Sequence, residues 1–366
     1  MGTKRSFDPF IFISVSVLVI GGFLIFMSAS LGLLIRGGAE FSSIATTQFL
    51  LGIVGGFAGL YVASHIPYRF WRHYALWVFL VAVVLMLLVF VPGIGGEFNG
   101  ARRWLDLRIT TFQPAEFLKI AYVLFLGTWL SQRRSKKTSF LVRIAPFSII
   151  TAAASILLLA QPDTGTFLVL AATGGVMYFV SGARWTDLLV LALVGVIASG
   201  GLVLSRDYAL ERVQTYLNPA ADPLGGGYQI QQSLIAVGSG QFVGRGFGQS
   251  VQKFNYLPEP TSDSIFAVFA EEFGFLGSII LILGFLSFGI RSLWIAARAP
   301  DLYGGLVTVG IAILIVFQSF LNIASMLGIF PLTGLPLIFV SHGGSALFMA
   351  LVSVGILLNI SRFRHT

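Results

Sequence analysis

The 366-residue sequence contains no cysteine and only four histidines. A disulfide framework, a thiolate metal site and a cysteine nucleophile are therefore excluded. The histidines, His65, His73, His342 and His365, show no metal-ligand spacing and form no Ser–His–Asp set. Charge is scarce as well: 10% of the residues are Asp, Glu, Lys or Arg, where a soluble surface of this size needs about a quarter. The Gly-rich run from Gly238 to Gly248 lacks the Gly-Lys-Ser/Thr ending of a phosphate-binding P-loop. No separate basic domain accounts for the net charge of +8; the cations lie in short segments between apolar runs, which gives a nucleic-acid role no motif. What remains is 56% hydrophobic, with a mean hydropathy of +0.89, so most of the surface must meet lipid. The 34 Phe and 42 Gly suit lipid-facing bulk and close helix–helix approach.

Crossing the hydrocarbon takes about 20 mostly apolar residues. Ten such runs occur, centred near residues 20, 55, 83, 122, 151, 173, 195, 277, 313 and 347. The first is too long for a cleaved leader and reads as a retained helix. It also anchors the chain without the lipid that Met1-Gly2-Thr3-Lys4-Arg5-Ser6 formally invites. The sequence thus predicts an all-α polytopic membrane protein of about ten helices, in one domain over residues 1–366. With the first residues inside and the spans alternating, inner segments hold 14 of the 23 Lys and Arg. That excess places both termini in the cytoplasm. The outer set, Arg36, Arg102, Arg103, Arg108, Arg206, Arg212, Arg245 and Lys253, runs against the rule and calls for another reason to be there. Size marks out one outer loop, residues 205–262, between the seventh and eighth spans; loops this long in compact proteins are usually functional or disordered. Within it Tyr228–Val237 predicts a short amphipathic helix with Gln229, Gln232 and Ser233 on one face.

Three constellations carry chemistry. Glu116 and Lys119 share a helix face three residues apart inside a span; they form either a structural ion pair or the wall of a polar substrate cavity. Arg102 and Arg103 beside Trp104 serve equally as an interfacial anchor or a diphosphate clamp. Glu259 and Asp263 fall where the long loop meets the eighth span, which itself carries Glu271 and Glu272. Asp263 is an ordinary helix-capping type, but a second carboxylate four residues earlier, among cations, also describes a site for acid–base work.

Several blocks in order resemble the SEDS family, the bacterial cell-wall polymerases that include FtsW and RodA. These are Asn99–Trp104, Gln113–Lys119, Gln161-Pro162-Asp163-Thr164-Gly165-Thr166, Gly227–Ser233, Gly246–Lys253, Tyr256–Asp263 and Pro331–Pro336 with Ser341–Ser345. Arg102-Arg103-Trp104 and Gly246–Lys253 are more similar to FtsW than to RodA. Two departures stand out. The usual His-Thr-Asp-Phe is Thr261-Ser262-Asp263-Ser264, and the usual Ser-Tyr-Gly-Gly-Ser is Ser341-His342-Gly343-Gly344-Ser345; no role given to the missing His carries over. The resemblance implies an inverting peptidoglycan glycosyltransferase in the bacterial cytoplasmic membrane, polymerising lipid II and releasing undecaprenyl diphosphate, in cell division or, in the RodA manner, in elongation. Its rival within the family is a lipid II flippase. Asp263 matches the family's catalytic Asp. The resemblance places Arg102, Arg103, Glu116, Lys119, Asp163, Gln229, Gln232, Lys253 and Glu259 at the substrate, and leaves room for a divalent metal ion, Mg or Mn, at the diphosphate. It also implies a class B penicillin-binding protein as partner, alongside other division or elongation proteins.

Overall fold

In a computed structural model the chain is built almost wholly from helices. The structure describes residues 6–36, 38–98, 101–106, 111–132, 140–205, 207–219, 222, 225–254 and 256–365. Helix α1 (Pro9–Arg36) is followed by a composite crossing: α2 (Gly38–Thr47), a π-helical stretch (Gln48–Gly55) and α3 (Gly56–His65). Next come α4 (Tyr68–Leu88), α5 (Pro114–Gln132), α6 (Phe140–Ala160), α7 (Thr164–Val180) and α8 (Trp185–Ser205). Two helices, α9 (Asp207–Leu217) and α10 (Gly226–Ser239), belong to the long loop, and α11 (Ile265–Ala297), α12 (Leu302–Met326) and α13 (Gly344–Ser361) complete the chain. Among the described residues, six crossings are long and apolar enough on composition alone, and α6, α7 and α8 contain shorter apolar stretches. The tenth, α5, carries Glu116 and Lys119 and is buried along most of its length against α4, α7 and α12. The ten-span reading therefore describes the observed bundle.

Both environments of a membrane helix are apolar, so burial rather than polarity separates their faces. On α1, Ile13, Val17, Ile20 and Leu24 are exposed at helical spacing while Ile11, Val15, Val19 and Phe26 are buried. The core of the bundle is α12 and α13, buried over 78% and 89% of their apolar windows against 22% for the second and third crossings. Helix α12 touches α5, α7, α11 and α13, so its polar side chains reach every side of the interior.

Two features escape the all-helical expectation. Residues between α4 and α5 form a small antiparallel sheet, β1 (Gly95–Phe98), β2 (Ala101–Asp106) and β3 (Thr111–Phe112), in the order β1-β2-β3. Its strands are too short, and the register shift at Gly96/Glu97 too early, for an alternating pattern to be read. The second is residues 327–343, which run without helix between α12 and α13. Leu335, Leu337, Ile338, Phe339 and Val340 are all buried. Irregular backbone survives at membrane depth only inside protein, with its polar groups satisfied. Gln318 Nε2 donates to the Pro336 carbonyl (3.1 Å), Asn322 Nδ2 to that of Leu335 (2.7 Å), and Gln48 Nε2 to that of Ser341 (3.2 Å).

Helix α11 is broken at Gly274, whose φ of 64° and ψ of −163° lie outside the range open to residues with a Cβ. The loop after α10 supplies the missing helical partners. Arg245 N and Gly246 N donate to the Glu271 and Glu272 carbonyls (3.0 Å each), and Phe275 N and Leu276 N donate to Gln241 and Phe242 (2.9 and 3.1 Å). A Cβ at residue 274 would meet the Gly244 amide, the Val243 carbonyl carbon at 2.7 Å and the Gly240 oxygen at 2.8 Å. Gly274→Ala is accordingly expected to lower the melting temperature of the purified protein by an amount matching more than about 2 kcal/mol. A melting curve like that of the wild type would show that the loop gives way freely at this point.

Candidate active site

The segment Glu259–Ser264 is a tight turn, with Ser262 N and Ser264 N both donating to the Glu259 carbonyl (3.1 and 3.2 Å). Glu259 itself lies in the left-handed region at φ 47°, a costly conformation for a non-glycine residue and one that clusters at functional sites. The turn is pinned from three sides. Asn322 Nδ2 donates to the Asp263 carbonyl (2.7 Å), Ser341 Oγ to that of Ser262 (2.6 Å), and His342 N to that of Thr261 (2.8 Å). From α10, Gln229 Nε2 donates to Ser264 Oγ (2.9 Å).

Asp263 is not the cap of α11. That position belongs to Ser264, and no side chain caps the helix. Instead the Asp263 Oδ1 atom is buried without a hydrogen-bond partner. Burial first, and the nearby Glu259 charge second, push its carboxyl up to about 6, against the opposing pull of Gln229 and Arg212. It faces a cavity of about 220 Å³ walled by Glu211, Arg212 and Thr215 of α9, Asp222, Gln229 of α10, and Leu332 and Gly334 of the irregular segment. A carboxylate held half-dry beside a polar cavity, with its proton affinity brought near neutral, is equipped to accept a proton.

The other residues singled out in the sequence are scattered. Gln229 lines this cavity and Glu259 acts on Asp263 through charge, while Gln232 lies half-buried one turn further along α10. Glu116 and Lys119 pair at 2.9 Å in the bundle interior, and Lys119 Nζ also donates to Gln318 Oε1 (2.6 Å). They border a separate cavity of about 20 Å³, room for about one water. Arg103 donates to the Gln161 and Pro162 carbonyls (2.9 and 2.5 Å), tying β2 to the α6–α7 turn, and Arg102 is exposed on the same strand. Asp163 caps α7, accepting from Thr166 N at 3.0 Å. Lys253 is committed to Glu272 Oε1 at 2.8 Å, with neither side chain exposed. The neighbouring Glu271 gathers Ser250 Oγ, Val251 N and Gln252 N (2.5, 3.1 and 3.2 Å). Several outer cations are thus held where structure needs them: Arg103 on carbonyls, Arg245 and Lys253 on the two carboxylates of α11. Arg36, Arg108 and Arg206 lie outside what the structure describes of side chains, as does the Asn99–Ala101 part of the first motif.

Asn322 and Gln48 were not singled out in sequence, and Arg212 only as one of eight outer cations. A signal existed for the first two, since polar side chains within apolar spans normally face the interior. Among the described residues no group of three or more His, Cys, Asp or Glu is placed to hold a metal ion.

The family model of the FtsW, RodA and SpoVE cell cycle proteins matches residues 9–366. The chain belongs to the FtsW/RodA/SpoVE (SEDS) family. It is 43% identical over 319 residues to stage V sporulation protein E of Bacillus subtilis (strain 168), covering 87% of each chain. To a probable peptidoglycan glycosyltransferase FtsW of Geobacter sp. (strain M18) it is 40% identical over 314 residues, or 86% of this chain and 85% of that one. Among solved structures, a chain of a peptidoglycan synthase complex that coordinates polymerization and crosslinking superposes with a TM-score of 0.80 at 28% identity, over 97% of this chain and 98% of that one. Thermus thermophilus RodA gives 0.71 at 27%, over 98% of each chain. In SEDS terms the protein is FtsW-like in sequence, and it shares the multi-pass helical fold of RodA.

Proposed function

We propose that this SEDS protein polymerises lipid II into glycan strands, with Asp263 as the general base. The observation that carries the reading is Asp263 in the wall of a polar cavity at the loop–helix junction, with its Oδ1 buried and without a hydrogen-bond partner. In the reaction the acceptor sugar's 4-hydroxyl oxygen attacks the donor's anomeric carbon and its proton passes to Asp263. The bond from that carbon to the lipid diphosphate breaks with its electron pair going to phosphate, and the centre inverts. The names of the FtsW relatives support the activity. The sealed Glu116–Lys119–Gln318 contact, with space for about one water, favours a polymerase over a flippase, which must pass a sugar headgroup through the bundle. The same reading puts the protein in the bacterial cytoplasmic membrane with both termini inside, working in division beside a class B penicillin-binding protein; the synthase complex with the similar chain supports such a partner.

The test is polymerisation of lipid II by the purified full chain together with its transpeptidase partner. Glycan strands are expected from the wild type and none from Asp263→Ala, a loss on the order of 10²–10⁴-fold. Undiminished polymer from the variant would remove Asp263 from the chemistry.

A further inference from the structure

The second crossing is not a regular helix. A π-helical stretch, Gln48–Gly55, separates α2 from α3, and such widened turns occur frequently at functional sites. Gln48 opens that stretch. It is 2% exposed, a buried amide in an apolar crossing, where each polar end needs a partner. Both ends are taken by one short turn ahead of α13: Nε2 donates to the Ser341 carbonyl (3.2 Å) and Oε1 accepts from Gly343 N (3.0 Å). Glycine at 52 leaves room for this approach. A Cβ there would meet Leu347 at 3.0 Å, Gly344 at 3.6 Å and the Gln48 side chain at 3.7 Å.

Other polar groups of the same turn go to the segment that ends in Asp263. Ser341 Oγ donates to the Ser262 carbonyl (2.6 Å) and accepts from Leu337 N (2.8 Å), and His342 N donates to the Thr261 carbonyl (2.8 Å). Three residues, 341 to 343, thus join the second crossing to the turn that carries the base. We infer that Gln48 is a positioning residue for Asp263, acting through the Ser341–Gly343 turn. This rests on the glycosyl-transfer reading and adds to it a crossing remote in sequence that sets where the base stands. A carboxylate takes a proton from an attacking hydroxyl only within hydrogen-bond reach, and a displacement of about 1 Å can cost about 10²-fold in rate. Of the carbonyls of Thr261, Ser262 and Asp263, the first two are held by this turn and the third by Asn322. Removing the Gln48 amide leaves the Ser341 carbonyl and Gly343 N without their partners, an expensive state inside the bundle. The turn must shift to recover them, and the two carbonyls it holds shift with it.

The experiment measures lipid II polymerisation by the full chain with its partner, and amide hydrogen exchange, in the wild type, Gln48→Leu, Ser341→Ala, the double variant and Asp263→Ala. Gln48→Leu is expected to lower kcat roughly tenfold or more with KM changed by less than about twofold. Its acid midpoint should move from about 6 toward the ordinary 3.8, because burial is the first cause of the raised value, ahead of Glu259, with Gln229 and Arg212 opposing. A mere loss of folded protein scales the rate equally at every pH and leaves that midpoint in place. Ser262 N and Ser264 N, both bonded to the Glu259 carbonyl, should exchange faster in Gln48→Leu. The double variant should lose less than the product of the two single losses, by about threefold or more. If Gln48→Leu does not fold, Gln48→Met carries the same comparison. An unchanged midpoint together with multiplicative losses in the double variant overturns the assignment. Undiminished polymer from Asp263→Ala, with faster exchange at Ser262 and Ser264 in the Gln48 variant, would overturn the transfer reading and leave the coupling between Gln48 and the turn standing.

Discussion

Polymerisation is expected to fall about tenfold for each pH unit below about 6 and to level off above it, because only ionised Asp263 accepts a proton. Burial, followed by the charge of Glu259, sets that midpoint, with Gln229 and Arg212 opposing. Stability should run the other way. The carboxyl holds its proton more tightly in the folded chain, at about 6 against an ordinary 3.8. Its contribution to folding is therefore fully present below about 3.8 and is lost as pH rises through about 6. At neutral pH ionised Asp263 is a net cost to the fold, so Asp263→Asn should melt no lower than the wild type there while losing activity, and the two melting curves should converge as pH falls toward about 4. Glu259→Gln should shift the acid limb of the wild-type profile to lower pH. Initial rates from about pH 5 to about pH 8, and melting curves from about pH 4 to about pH 8, read out all three. A flat rate profile across that range would mean that another group takes the proton.

The second large effect belongs to the pair beneath the loop. Lys253 and Glu272 are completely enclosed, Ser28 Oγ bridges to both Glu272 oxygens (2.6 and 2.8 Å), and Lys253 Nζ also donates to the Gly248 carbonyl (2.8 Å). Lys253→Met should destabilise the protein by about 3–5 kcal/mol, because it strands a buried carboxylate. Glu272→Gln should cost a similar amount by stranding the ammonium. Combined, the two substitutions should cost far less than their sum, since the remaining side chains carry no uncompensated charge. Additive losses in thermal or denaturant unfolding would show that the two charges are held independently.

The spans were legible because a bilayer demands long apolar runs and little else in the chain competes with that signal. The long loop was legible from its length. Asp263 could be picked out because it stands at the junction of loop and span and within a family block. What the cations do was not legible. Lys253 meets Glu272 only because the loop folds back across the break at Gly274, and nothing in the intervening sequence announces that return. Arg103 reaches carbonyls 58 and 59 residues away, through a sheet whose strands are too short to read. Arg212 looks like any of eight outer cations until α9 is docked and places it in the wall of the cavity at Asp263. Asn322, Gln318 and Gln48 left a visible trace as polar residues in apolar spans. Their amide nitrogens donate to backbone carbonyls, and a carbonyl has no letter in the sequence.

Helix α11 is 33 residues long, roughly 50 Å at 1.5 Å per residue, against a hydrocarbon layer of about 30 Å. The stretch after Gly274 is by itself sufficient for a crossing. The nine residues before it, which include both buried carboxylates, are not needed to span the hydrocarbon. Their neighbours are Lys253, Arg245, serine hydroxyls and loop amides, so lipid never has to solvate Glu271 or Glu272. The 33 residues of α11 thus divide at Gly274 into a stretch long enough to cross and a shorter one whose two carboxylates are enclosed by protein.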